Sequence, residues 1–205
     1  IDWLRLVFER FRSANLKINP SKCDFFRTQV PFLGHIVSKE GLKADPSKVE
    51  AVKSFPIPKS PTDVKAFLGL ASYYRRFVPN FAEIARPLHK ATETSSKFTW
   101  TTEAHDAFEL LKQKLTSTPI LAFPCLSEPF ILYTDASQFA MGAVLAQIQD
   151  GTERAICYAS RTLSHAQSKY SPTRRELLAL VTFTRHFRHY LFGRKFTIVT
   201  DHNAL

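Results

Sequence analysis

Apolar residues recur at helical spacing at Leu4, Val7, Phe8 and Phe11, which predicts the end of an amphipathic helix over residues 2–14, broken by Asn19-Pro20. Phe25-Phe26 and Phe32-Leu33-Gly34-His35-Ile36-Val37 read as short strands, with Ser38-Lys39-Glu40-Gly41 as the following turn. This segment reads as the end of a sheet begun upstream. Pro46, Pro56, Pro58 and Pro61 mark a linker after about residue 44. Ser60-Pro61-Thr62-Asp63 then combines an N-cap serine, proline at the first helical position and an acid at the third. The helix it starts carries Val64, Phe67, Leu68 and Ala71 on one face and runs towards Tyr74. A second helix over about 80–90, with Phe81, Ile84, Ala85 and Leu88 inward, completes a helical hairpin over 60–91.

A third helix from Thr101 places Ala104, Phe108, Leu111 and Leu115 on one stripe before Pro119. The pattern then changes. Phe130-Ile131-Leu132-Tyr133 is a continuous apolar strand, and 140–148 and 154–159 form a pair joined through Asp150-Gly151, a dipeptide suited to a tight hairpin turn. A long helix over about 172–190 and a last strand, Phe196-Thr197-Ile198-Val199, follow. Strand, strand, strand, helix, strand describes an α/β domain: an antiparallel meander, then a right-handed crossover to a parallel neighbour. There is no internal repeat or low-complexity segment.

The 205 residues give room for one or two domains, and with 44% hydrophobic and 22% charged residues the chain has the composition of a folded globular protein. No apolar run approaches the roughly 20 residues of a membrane span, so no membrane partner is expected. The net charge of +10 points to a polyanionic partner, nucleic acid first. Its distribution is uneven: residues 115–153 carry −4 and residues 154–200 carry +8. Cys23, Cys125 and Cys157 form no paired motif, which signals neither a disulfide framework nor a zinc site and fits a reducing compartment. The only methionine is Met141, and the first residues open mid-pattern, so the sequence reads as a piece of something longer.

Two apolar strands both end in Thr-Asp, at Tyr133-Thr134-Asp135 and Val199-Thr200-Asp201. If the crossover makes them parallel neighbours, Asp135 and Asp201 emerge side by side at the carboxyl edge of the sheet, where open α/β sheets keep their sites. Adjacent carboxylates repel, so such a site holds a shared proton or divalent cations, and oxygen-only ligands select Mg²⁺ or Mn²⁺. The competing reading is that each Asp merely opens a turn. At about 100° per residue, Glu176 shares its helix face with Leu180, Phe183 and Phe187 and so points towards the sheet. Thr173-Arg174-Arg175-Glu176 also matches a capping box, but Ser171-Pro172 is the better helix start and moves Glu176 past the cap. Three carboxylates around divalent cations are what phosphodiester hydrolysis asks for. His165, His186 and His189 read as surface residues, and His202 as either a substrate contact or a solvent-facing residue.

Tyr133-Thr134-Asp135-Ala136-Ser137, Arg175-Glu176-Leu177-Leu178-Ala179 and Thr200-Asp201-His202-Asn203-Ala204-Leu205 together resemble the ribonuclease H domain of reverse transcriptases from gypsy-class long-terminal-repeat retrotransposons and, more distantly, retroviruses. Upstream, Phe32-Leu33-Gly34-His35 resembles that family's primer grip in the palm, and residues 67–77, beginning Phe67-Leu68-Gly69-Leu70 and ending Tyr73-Tyr74-Arg75-Arg76-Phe77, resemble its thumb helix.

The resemblance implies an α/β chain: an α+β thumb region followed by a ribonuclease H-like mixed sheet, truncated at the C-terminus. It implies residues 1–43 as the end of the palm, 44–97 as a thumb-like helical subdomain and 98–205 as an incomplete ribonuclease H-like domain. Asp135, Glu176 and Asp201 would be the catalytic ligands of two Mg²⁺ ions, with Mn²⁺ as a substitute, that cut the RNA strand of an RNA–DNA hybrid. Phe32, Leu33, Gly34, Gly69, Tyr73 and Arg76 would contact template-primer duplex. A glycine inside a helix costs about 1 kcal/mol against alanine; Gly69 would let the minor groove approach, although close helix packing explains it equally well. The rest of a Pol polyprotein is the implied partner, and a cytoplasmic particle or the nucleus the implied location. The family's Tyr-x-Asp-Asp polymerase motif is absent from this sequence, and is expected upstream of Ile1; a further helix and strand and a fourth acid or its substitute are expected after the third carboxylate. Two other readings remain: a catalytically silent nucleic-acid-binding remnant, and another nuclease or integrase on the same fold, which the acid order and the preceding thumb-like segment disfavour.

Overall fold

The computed structural model describes residues 1–93 and 98–202. Asn203, Ala204 and Leu205 and the expected boundary at 97/98 lie outside the described residues. Helix α1 (Asp2–Ser13) has no buried residue. A 3-10 turn at Pro20–Lys22, capped by the Asn19 side chain, leads to the antiparallel strands β1 (Gln29–Phe32), β2 (His35–Ser38) and β3 (Gly41–Ala44). Helices α2 (Pro46–Lys53), α3 (Pro61–Tyr73), α4 (Phe81–Ile84), α5 (Arg86–Lys90) and α6 (Thr102–Thr116) follow. The second sheet holds β4 (Phe130–Ala136), β5 (Ala140–Gln149) and β6 (Thr152–Thr162). After them come α7 (His165–Ser168), α8 (Pro172–His186), α9 (Arg188–Leu191) and β7 (Phe196–Val199).

Local chemistry sets the helix starts. The Ser60 hydroxyl accepts the Asp63 N–H at 3.2 Å, which satisfies an orphan donor of the first turn of α3, and the Asp63 carboxylate accepts the Lys59 N–H at 3.0 Å, which holds the chain entering the helix. Thr101 caps α6 and Ser171 caps α8, so Glu176 is free of any capping role. Ser164 and Gln167 form a reciprocal capping box at α7.

The second sheet has the order β6-β5-β4-β7, antiparallel except for the parallel pair β4–β7. This is the meander and crossover that the pattern predicts, with the hairpin turn at Asp150-Gly151, both in the left-handed region. Register sets Tyr133 beside Val199, which brings the two Thr-Asp strand ends level. Helix α8 packs on β4 and β5, α4 on β5 and β6, and α6 on α2, α4 and α5. One continuous core runs from Ala44 to Leu191, through Phe67, Phe108, Leu132, Phe183 and Phe187. Leu42 and Leu121 exchange backbone hydrogen bonds at 2.8 and 3.0 Å, tying the first sheet to the segment that precedes β4.

Five local expectations are corrected. Phe25-Phe26 is no strand, because Phe26 turns left-handed, at φ 57°. Residues 32–37 do not form one strand: Leu33 and Gly34, at φ 46° and 68°, make a two-residue turn between β1 and β2. The expected linker after residue 44 holds α2, since Asp45 accepts the Ser47 N–H at 2.9 Å and Pro46 sits where its missing N–H costs nothing. The helix expected over 80–90 is two short ones, because Pro87 has no N–H to continue the ladder from α4. The helix expected over 172–190 breaks at Phe187, which, with Leu191, stays in the core as the chain turns into α9.

Candidate active site

Asp135 stands at the end of β4, Asp201 two residues beyond β7, and Glu176 one turn into α8. The structure brings these three together: one carboxylate oxygen from each lies within 4.8 Å of the others. Asp135 and Asp201 are exposed, whereas Glu176 is only 6% exposed. Glu176 Oε1 accepts the Ala136 N–H at 2.9 Å; its Oε2 is buried with no hydrogen-bond partner among the described residues.

Burial first, and then the charges of Asp135 and Asp201, push the Glu176 carboxyl up, against the Ala136 N–H and His202, which favour the anion. A carboxylate with a buried, unpartnered oxygen, clustered with two more carboxylates, is unfavourable by itself and is relieved by a cation. An all-oxygen donor set suits a hard divalent cation. The residues present therefore fit a divalent metal, held by Asp135, Glu176 and Asp201.

Asp135 and Asp201 also line a groove of about 370 Å³ with Pro79, Asn80 and Thr200. Nothing in the hydrophobic pattern or the motifs marks Asn80. It is left-handed at φ 53° and makes no side-chain cap on α4; its Oδ1 instead stands against the α-carbon of Gly142, where a Cβ has no room. Gly142 is the β5 partner of Asp135, so the helical segment reaches the strand beside the acid. A glycine inside an apolar strand signals such close approach. His202 Nε2 lies 2.9 Å from Thr173 Oγ1, which ties the residue after Asp201 to the start of α8.

The residues expected to meet duplex fall in two places. Phe32 and Leu33 are 61% and 71% exposed at the β1–β2 turn, and Gly34 completes that turn. Tyr73 Oη donates to the Leu33 carbonyl at 2.6 Å and Tyr74 Oη to the Gly34 carbonyl at 2.7 Å, so the end of α3 holds the turn. Gly69, one helical turn before Tyr73, is exposed, and a Cβ there would meet nothing within 4 Å, which removes close packing as its reason. Arg76 lies elsewhere, lining a separate cavity beside Cys157. His165, His186 and His189 are exposed, as expected.

Residues 100–198 match the family described as "RNase H-like domain found in reverse transcriptase". The whole chain is 44% identical to 19% of the retrovirus-related Pol polyprotein from transposon 297 of Drosophila melanogaster. Over 97% of its length it is 35% identical to 15% of the transposon Tf2-3 polyprotein of Schizosaccharomyces pombe. The chain thus spans only about a fifth or less of the curated relatives it matches. Among solved structures, the foamy viral protease-reverse transcriptase in complex with RNA/DNA hybrid aligns over 96% of this chain and 27% of its own, with TM-score 0.80 and 21% identity. The same viral protein in complex with double-stranded DNA aligns with TM-score 0.82 and 22% identity, over 98% of this chain and 42% of its own, so both share the fold. Residues 100–198 thus match as an RNase H-like domain found in reverse transcriptase, and the relatives that this chain resembles along its whole length are retrovirus-related Pol polyproteins from transposons.

Proposed function

We propose that this chain hydrolyses the RNA strand of RNA–DNA hybrids during reverse transcription, as the thumb and ribonuclease H-like part of a longer Pol polyprotein. The observation that carries this is the convergence of Asp135, Glu176 and Asp201, with Glu176 Oε2 buried and unpartnered. Asp135, Glu176 and Asp201 would hold two Mg²⁺ ions, or Mn²⁺ in their place. When bound, such ions lower the pKa of a water and stabilise the leaving oxygen of a phosphodiester.

The chain's own residues supply position and charge. The Ala136 N–H fixes one Glu176 oxygen and leaves the other for the cation. Asp135 and Asp201 face the groove from neighbouring strand ends. The sequence carries no Tyr-x-Asp-Asp motif, so hydrolysis rather than polymerisation is assigned to it. In this reading residues 1–43 end the palm, 44–97 form the thumb and 98–205 the ribonuclease H-like domain. Exposed Phe32 and Leu33 at the turn, with Gly34, Gly69 and Tyr73, would meet template-primer duplex, and the net charge of +10 favours its backbone.

The test is Mg²⁺-dependent cleavage of a labelled RNA–DNA hybrid by this chain and by a longer chain containing it, each beside its Asp135→Asn version. Cleavage that disappears in Asp135→Asn supports the reading. Folded protein that binds hybrid without cutting it in either length overturns it and leaves a silent binding remnant.

A further inference from the structure

A cavity of about 760 Å³ lies where residues 72–89 meet β6 and the C-terminal half of α8. Six basic side chains line it: Arg75, Arg76, His89, Arg161, His186 and His189. No aspartate or glutamate is among the lining residues, and none of the three arginines forms an ion pair among the described residues. The walls are held in place. Arg75 Nη2 donates to the Ser160 carbonyl at 2.6 Å and its guanidinium lies 5.5 Å from the centre of the Phe81 ring; Ser160 Oγ accepts the Ala82 N–H at 2.9 Å. Arg76 Nε is buried and has no hydrogen-bond partner among the described residues. Phe183, Phe187 and Tyr190 add aromatic surface.

Cationic groups gathered without a counter-charge repel one another, and the buried Arg76 Nε adds a desolvation cost. Although both residues are exposed, partial burial of the ring and then the Arg75 charge hold the His89 imidazole below its ordinary range, and partial burial, His189 and Arg75 do the same to His186. An anion relieves both costs. Guanidinium forks match phosphate oxygens in pairs, and aromatic faces beside them suit a base. The cavity is within the roughly 300–1,000 Å³ of small-molecule sites.

We propose that this cavity is a second, anion-binding site that takes a phosphate group carried by a nucleotide or a nucleic-acid strand. Glu176 and His186 are ten residues apart on α8, about 15 Å along its axis, so the site lies away from the acidic cluster and works without a divalent cation. It does not depend on the nuclease reading.

The test uses the whole chain in EDTA, with the histidine ring signals followed by NMR as inorganic phosphate, pyrophosphate or adenosine triphosphate is added. The expected result is saturable movement of the His89, His186 and His189 signals while His165 and His202 stay in place. Arg161→Gln and His186→Ala, both at exposed positions, weaken binding by about tenfold or more, whereas Arg194→Gln outside the cavity changes it less than about twofold. Arg76→Lys, which keeps the charge but not the fork, falls between. A short DNA oligonucleotide that moves the same signals and is displaced by pyrophosphate identifies a strand as the source; movement by the nucleotide alone identifies free nucleotide. Signals that no phosphate compound moves, equal movement by malonate, or unchanged affinity in both Arg161→Gln and His186→Ala overturns the proposal.

Discussion

Glu176 Oε1 accepts the backbone N–H of Ala136 at 2.9 Å, which ties the first turns of α8 to the residue that follows Asp135. The helix-borne acid is thereby set against the strand-borne one by protein contacts alone. Glu176→Gln keeps an acceptor for that N–H and removes a buried charge that burial and two neighbouring carboxylates disfavour. In EDTA this variant is expected to unfold at higher temperature, by a stabilisation on the order of 1 kcal/mol. Mg²⁺ should raise the melting temperature of the native chain and do so much less for the variant, because a ligand stabilises only the state that binds it. Hybrid cleavage should fall by roughly 10²-fold or more. Thermal scans with and without Mg²⁺, beside the cleavage assay, check all three; a variant less stable in EDTA would contradict the electrostatic account.

Gly69 separates stability from binding. Its face of α3 is open, so Gly69→Ala gains helix propensity without a clash and should stabilise the chain by about 1 kcal/mol. If the bare backbone admits a duplex groove, the same variant binds template-primer more weakly although it is more stable. Denaturant midpoints and fluorescence anisotropy with labelled duplex give the two numbers. Unchanged binding in a stabilised variant would remove Gly69 from the interface.

Tyr74 holds the turn at Gly34 from a nearly buried position, 2% exposed. Tyr74→Phe leaves the Gly34 carbonyl without its donor and should cost about 1–2 kcal/mol in urea unfolding. Burial first, then Asp45 and Tyr73, pushes the Tyr74 phenol up to about 12. The folded state therefore keeps this proton where the unfolded chain, titrating near 10, has lost it. The stability it contributes is complete below about pH 10 and is lost as the pH rises towards 12. Tyr74→Phe should lose less stability than the native chain across that window, which unfolding curves at several alkaline pH values measure.

The cysteines should separate by environment. Cys125 is exposed and the Ser127 side chain, 3.1 Å away, holds its thiol below the ordinary range, whereas burial pushes the Cys157 thiol up to about 11. Near pH 8 only about one Cys157 in a thousand is a thiolate even before access is considered. A thiol reagent followed by peptide mass mapping should modify Cys125 within minutes and leave Cys157 untouched until denaturant is added. Modification of Cys157 at the Cys125 rate would contradict the packing of β6.

Much of this was legible along the chain because it is short-range. Ser60-Pro61 and Thr101 start helices through hydrogen bonds to residues three positions away, and Asp150-Gly151 closes a hairpin through two dihedral angles. The local pattern misleads where one signal has two uses. Pro46 reads as a linker but starts α2 after the Asp45 cap, and Leu33-Gly34 sits inside an apolar run yet turns it.

The sequence by itself determined which acids the proposed site rests on: two Thr-Asp strand ends and a glutamate on an apolar helix face. Their spacing followed from strand order and helix period. Only the tertiary structure decided that one Glu176 oxygen is bound and the other bare, that Asn80 stands against the partner of Asp135, and that six basic side chains surround one cavity. Each of those joins residues from elements far apart in the chain, such as Ala136 with Glu176 or Arg75 with Ser160. Such contacts depend on how whole elements pack, and no periodicity in the intervening residues records that packing.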